Sequence, residues 1–154
     1  SRNGGKEKSQ AFRIHTNKNL RESVDAMLKR RKVPRILIMG DFNDYPKDKS
    51  LNVILDARKW DRRQMDKNAL YNLCYDVKPG SYRYRGYWNT LDQIIVNGRL
   101  LPATAQVFMA KWLLTKDKTH GGEKPFRTYQ GPLYLGGYSD HLPVYADLPL
   151  NYSW

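Results

Sequence analysis

The apolar positions of the chain change period about half-way along it. Between Gln10 and Lys32 they recur at helical spacing. Leu20, Val24, Met27 and Leu28 share one face there, and Arg21 precedes Asp25 by four residues as an ion pair along the helix. Pro34 stops this predicted helix. Residues 35–39 follow as a short, nearly continuous apolar run, the pattern of a buried strand. The run leads directly into Gly40-Asp41-Phe42-Asn43-Asp44, and Pro46 closes a turn. Ser50 is placed to cap a second helix with Leu51, Ile54 and Leu55 on its apolar face.

From Gly80 onward the period becomes two. Tyr82 and Tyr84 alternate with Arg83 and Arg85, and residues 91–96 predict a strand. Asn97-Gly98 is a hairpin-turn signal, and residues 103–113 predict a further strand. Residues 115–137, rich in Gly, Lys, Thr and Pro, read as a long loop, and residues 143–148 as the last strand. There is no internal repeat and no low-complexity tract. Helix, strand, helix, then several strands predict an α+β fold with a layered sheet and helices on one face. Two helices cover only one face of such a sheet. The other face carries apolar side chains as well and needs cover, from another sheet or a second copy.

Composition narrows the class. The 154 residues are 40% apolar and 12% aromatic, enough for a core and too apolar for a disordered chain. The longest apolar run is Ile36–Met39, far below the ~20 residues of a membrane-spanning helix. Cys74 stands alone, which excludes an internal disulfide and a thiolate zinc site and leaves a structural thiol. Lys and Arg number 27 against 15 Asp and Glu, a net charge of +12, and eleven of the basic residues lie in the first 35. Such a surplus fits polyanionic partners: nucleic acid, anionic lipid headgroups or phosphorylated small molecules. A solubilising surface explains it equally well. The run Lys29-Arg30-Arg31-Lys32 falls at the expected helix C-terminus, where the helix dipole alone accounts for cations.

Three polar sites interrupt this pattern. Asp41 and Asn43 follow a strand, where loops place functional groups. A carboxylate there can orient or deprotonate water, and an amide can donate to a phosphoryl oxygen. Plain turn chemistry is the competing explanation. Asp92 opens the strand at 91–96, and an acid in an apolar strand is costly unless paired or solvent-facing. Asp140 and His141 precede the last strand, on which adjacent side chains point opposite ways. They can therefore bind two different things, or mark a polar turn. His15 and His120 read as surface residues.

Each site is weak alone, but their order is specific. Gly40-Asp41-Phe42-Asn43-Asp44, Leu91-Asp92-Gln93-Ile94-Ile95 and Ser139-Asp140-His141-Leu142-Pro143-Val144 resemble the endonuclease/exonuclease/phosphatase superfamily in order and spacing. Ser81-Tyr82-Arg83-Tyr84-Arg85-Gly86 and Arg127-Thr128-Tyr129-Gln130-Gly131 look like its bacterial branch. The resemblance implies a four-layer α/β/β/α sandwich built from two similar halves, of which this chain matches the C-terminal half over essentially its whole length. Ser1-Arg2-Asn3-Gly4-Gly5 looks like the segment after a histidine motif of the first half. By the same resemblance, Asp41 activates or orients water, Asn43 binds the phosphate, Asp92 holds His141, and His141 contacts the scissile phosphate. Asp140 is a metal ligand, for Mg2+ or Mn2+. Trp88 and Asn89 are candidate substrate-binding residues, with sheet packing as the plainer reading of Trp88. The implied substrate is a phosphate ester: nucleic acid, a phospholipid headgroup or a sugar phosphate. The Asn and Glu that the first half supplies near the metal have no counterpart here. The chain alone is therefore expected to lack turnover and to pair with the missing half or with itself through the inner sheet face. The alternative is a non-catalytic fragment or binding module.

Overall fold

The computed structural model describes residues 5–149; Ser1–Gly4, part of the segment likened to a first-half boundary, lie outside the described residues. The one long helix, α1 (Gln10–Arg30), packs on a four-stranded sheet. The sheet is formed by β1 (Leu37–Asp41), β2 (Ala57–Arg58), β3 (Leu70–Asn72) and β6 (Asp92–Asn97), in the order β1-β6-β3-β2. Only β2 and β3 run parallel; the other pairs are antiparallel. The architecture is α+β.

Val24 is fully buried on α1, with Leu20 and Leu28 packed beside it, one row at four-residue steps. Met27 leaves that row and is 38% exposed, contrary to its expected place on the buried face. Toward the helix N-terminus the same face is polar: Arg13 and Asn17 are buried. The core on the helix side holds Leu51, Leu55, Leu70 and Ile95, all fully buried. Each such side chain contributes roughly 1.5–3 kcal/mol of burial.

The opposite sheet face is partly covered. β7 (Thr104–Val107) pairs with β12 (Val144–Asp147), and Ala105, Val144 and Ala146 pack on Cys74 and Ile94. Tyr71, Val96, Leu101 and Ala103 extend that layer. The cover stops short of β1. Leu37 and Met39 stand opposite Val96 and Ile94 in the register, so they share their face, yet are 45% and 65% exposed. The expected buried strand is thus an edge strand buried on its helix side alone.

Other elements differ from the sequence reading for local reasons. Residues 50–54 form one π-helical turn, and Ser50 does not cap it. Its hydroxyl donates instead to Asp44 at 2.5 Å. Asn97-Gly98 makes no hairpin but opens a single 3-10 turn between β6 and β7. The Asn97 side chain is consumed by the Ile36 N–H and the Pro34 carbonyl, at 3.0 and 2.9 Å. Gly98 is required by closeness: a Cβ there would sit 2.1 Å from the Asp66 carbonyl oxygen. The expected strand over 103–113 ends at Val107, and residues 111–113 form a 3-10 turn. The hairpin instead lies between β4 (Tyr82–Tyr84) and β5 (Tyr87–Asn89), through Arg85 and Gly86 at φ 49° and 85°.

The segment expected as a long loop contains two small hairpins. β8 (Leu114–Lys116) pairs with β9 (Glu123–Pro125), and β10 (Tyr129–Gln130) with β11 (Leu133–Tyr134). Arg83 ties the first of them down by donating to the Gly121 and Glu123 carbonyls. His120 sits over the buried Asp117 carboxylate, Nδ1 to Oδ2 3.5 Å, and remains 41% exposed.

Candidate active site

Asp41 ends β1 and Asp92 begins β6, and the register places them directly opposite each other. Two carboxylates so placed repel, which makes the pairing costly unless something of opposite charge joins them. His141 does so. Its Nδ1 lies 2.6 Å from Asp92 Oδ2. The segment that carries it is fixed by an isolated bridge to Tyr82 and by the Leu142 N–H donating to the Ser81 carbonyl at 2.8 Å. The imidazole also lies against the Tyr82 ring, centroids 4.7 Å apart. Ser81, fully buried, donates its hydroxyl to the same Asp92 oxygen.

The charges follow. Burial alone raises the Asp92 carboxyl, but hydrogen bonds from His141 and Ser81 and the imidazolium charge hold it below its ordinary value. Burial likewise disfavours the His141 cation. The Asp92 hydrogen bond and charge, with Asp41 and Asp140 behind it, outweigh that and raise His141 above its ordinary value. The pair is therefore a hydrogen-bonded imidazole and carboxylate, each favouring the charged form of the other.

Asn43 adopts a left-handed backbone, φ 53°. That conformation turns its N–H onto Asp41 Oδ1 at 2.8 Å and its Nδ2 onto Oδ2 at 2.9 Å. The loop is held from below. Arg13 Nε lies 2.8 Å from Asp44 Oδ2, a pair with both side chains at or below 5% exposure. The Asp44 carbonyl accepts from Gln93 Nε2 at 3.0 Å, and Gln93 in turn accepts from Asn72 at 3.0 Å.

One cleft of about 450 Å3 is lined by Asp41, Asn43, Tyr82, Leu91, Asp92, Asp140 and His141. All five polar residues singled out in the sequence thus converge, with Asp140 exposed at the rim. Trp88 and Asn89 do not line it. Trp88 borders a neighbouring groove, and Asn89 accepts a hydrogen bond from the Tyr45 hydroxyl. Sequence reasoning assigned no role to Ser81, Tyr82, Arg13 or Gln93. Ser81, Tyr82 and Gln93 stand in the segments that carry the family resemblance, whereas nothing in the sequence marked Arg13. The model of the Endonuclease/Exonuclease/phosphatase family matches residues 1–149. The chain belongs to that family. No curated protein and no solved structure matches it.

Members of this family are in general divalent-metal-dependent hydrolases of phosphoester bonds. The residues present fit such a metal poorly. A hard cation takes six or more oxygens, yet among the described residues no three His, Cys, Asp or Glu side chains group to hold one. Asp41 and Asp92 are engaged by Asn43 and by His141 with Ser81. Asp140 and Asp41 are both exposed, and Asp41 is already bonded to Asn43.

Proposed function

We propose that this chain carries the acid, amide and imidazole portion of a hydrolase of phosphodiester or phosphomonoester bonds. The observation that carries the reading is the His141–Asp92 pair facing Asp41 and Asn43 across one cleft. Asp41 orients water, Asn43 donates to a phosphoryl oxygen, and His141 stabilises charge on phosphate or protonates the leaving oxygen. Asp92 holds the imidazole and favours its charged form, and Ser81 steadies Asp92. Asp140 is offered as one ligand of Mg2+ or Mn2+, whose other ligands come from outside the described residues. Trp88 and Asn89 lie outside the cleft, and their proposed contact with substrate is with the part of it that extends beyond the reacting phosphate. The substrate is a phosphate ester of nucleic acid, a phospholipid headgroup or a sugar.

We further propose that the chain corresponds to the C-terminal half of the sandwich. The incomplete ligand set and the open apolar side chains of Leu37 and Met39 support this. The other half, or a second copy, covers that face. The sparse ligand set also favours a second reading, a binding module without turnover; the retained Asp92–His141 pair speaks for the hydrolase. Hydrolysis of bis-p-nitrophenyl phosphate with Mg2+ or Mn2+ separates them. The expected result is no turnover by this polypeptide, and turnover by a polypeptide extended upstream that Asp41→Ala or His141→Ala abolishes. Turnover by the present chain, lost in Asp41→Ala, refutes the half-domain reading. An extended polypeptide without activity refutes the hydrolase.

A further inference from the structure

Beside the cleft, on the far side of the Tyr45–Asn89 hydrogen bond, lies an open groove of about 820 Å3. It runs from the loop after Asn43 to the loop before β4, and Tyr45, Tyr75 and Trp88 border it, with Lys47 and Lys78. Each of the three rings has a cation over it. Lys6 Nζ is 4.9 Å from the Tyr45 centroid, Lys47 Nζ 5.8 Å from that of Tyr75, and the Arg83 guanidinium 5.8 Å from that of Trp88. The acids nearby are already matched: Asp76 to Lys59 at 2.6 Å and Asp48 to Lys6 at 2.8 Å. Lys47 and Lys78 are exposed and carry their charge at the groove.

Alternating rings and cations along a groove meet the two parts of a polynucleotide strand: bases stack on rings, and phosphates sit near ammonium groups. A paired duplex hides its base faces and a lipid headgroup has none, so neither uses three rings. We propose that this groove binds single-stranded nucleic acid, with Tyr75 as a stacking platform and Lys47 and Lys78 as phosphate contacts. Because the loop ending at Tyr45 and the strand ending at Asn89 both lead back to the cleft, a strand in the groove continues toward Asp41 and His141. The proposal deepens the hydrolase reading and rests on it for the placement of the scissile phosphate.

The test is fluorescence anisotropy of a labelled oligothymidylate with the present chain, without added metal, so that binding is read apart from turnover. Unlabelled duplex of equal length and phosphatidylglycerol vesicles serve as competitors. Tyr75→Ala should weaken binding about tenfold and Tyr75→Phe should restore it, since stacking needs the ring. Lys47→Ala should lower the salt slope by about 0.7. Circular dichroism of Tyr75→Ala checks its fold, and the exposed Lys47→Ala answers independently if it is unfolded. Absence of binding, equal binding by Tyr75→Ala, or displacement by duplex or vesicles as effective as by single strand overturns the proposal. Groove binding in a protein whose extended form proves inactive refutes the hydrolase reading alone.

Discussion

The buried pair between Arg13 and Asp44 offers a direct measure of what holds the Asp41–Asp44 loop. Arg13 is 5% exposed and the Asp44 side chain 2%, with 2.8 Å between Nε and Oδ2. Arg13 also donates to Ser9 Oγ at 2.6 Å and the Lys6 carbonyl at 2.8 Å. Arg13→Met keeps most of the stem volume and removes the guanidinium. Asp44 then keeps the Ser50 hydroxyl at 2.5 Å against a charge taken out of water. Removing one partner of such a pair costs about 3–5 kcal/mol, because the other charge is stranded. That is a large part of the roughly 5–15 kcal/mol that holds a domain folded. Asp44→Asn in the Arg13→Met background removes the stranded charge and should recover at least half the loss. Urea denaturation followed by circular dichroism, with unchanged slopes, gives both numbers. A loss below about 1 kcal/mol, the range of exposed pairs, would refute the reasoning. So would a double variant no more stable than Arg13→Met.

Four other outcomes are expected. In NMR titration, His141 should titrate above its ordinary value, and Asp92→Asn should bring it down. Because the folded His141 value is raised, its stabilisation is full below about pH 6.5 and fades as pH rises through the raised value. Asp92 is lowered, so its share is full above about pH 3.9 and is lost as pH falls through the lowered value. The pair therefore helps most between those limits, and a stability profile flat through both edges would count against it. Gly80→Ala would drive a Cβ to 2.2 Å from the Asn89 carbonyl, so it should cost roughly 1–3 kcal/mol or more in thermal denaturation. It should also disturb the adjoining Ser81 contact with Asp92, and an unchanged His141 titration would deny that coupling. Burial pushes the Cys74 thiol up to about 11, so it should ignore Ellman's reagent in the native state and react in urea. Self-association through β1 should appear in light scattering at micromolar concentration and be reduced by Met39→Lys; a monomeric parent would contradict it.

Much of the site was legible because its chemistry is local to short motifs. Asp41 with Asn43, Asp92, and Asp140 with His141 each stand at a strand end, and strand ends follow from the apolar runs beside them. Their convergence was not legible from period or composition. It depends on the β1–β6 register that sets Asp41 opposite Asp92, and on the bridge that brings His141 to Tyr82. The supporting residues were harder still. Nothing in the helical pattern marks Arg13 as buried, because a buried cation is recognisable only through its partner 31 residues on. Ser50 looked like a helix cap for the same reason: its chosen acceptor, Asp44, is a tertiary neighbour.

The α+β class, the strand ahead of Asp41 and the family were readable from the sequence alone, as were the five polar residues as candidates, since periodicity and motif order survive any packing. The tertiary structure decided which face of each strand is covered, leaving Leu37 and Met39 open. It turned Asn97-Gly98 from a hairpin into a packed corner, because the Asn97 side chain met backbone groups from distant segments. It also joined Asp92 and His141 by a hydrogen bond. Burial, register and ion pairing depend on what lies across a strand or beneath a helix, and those neighbours are far away along the chain.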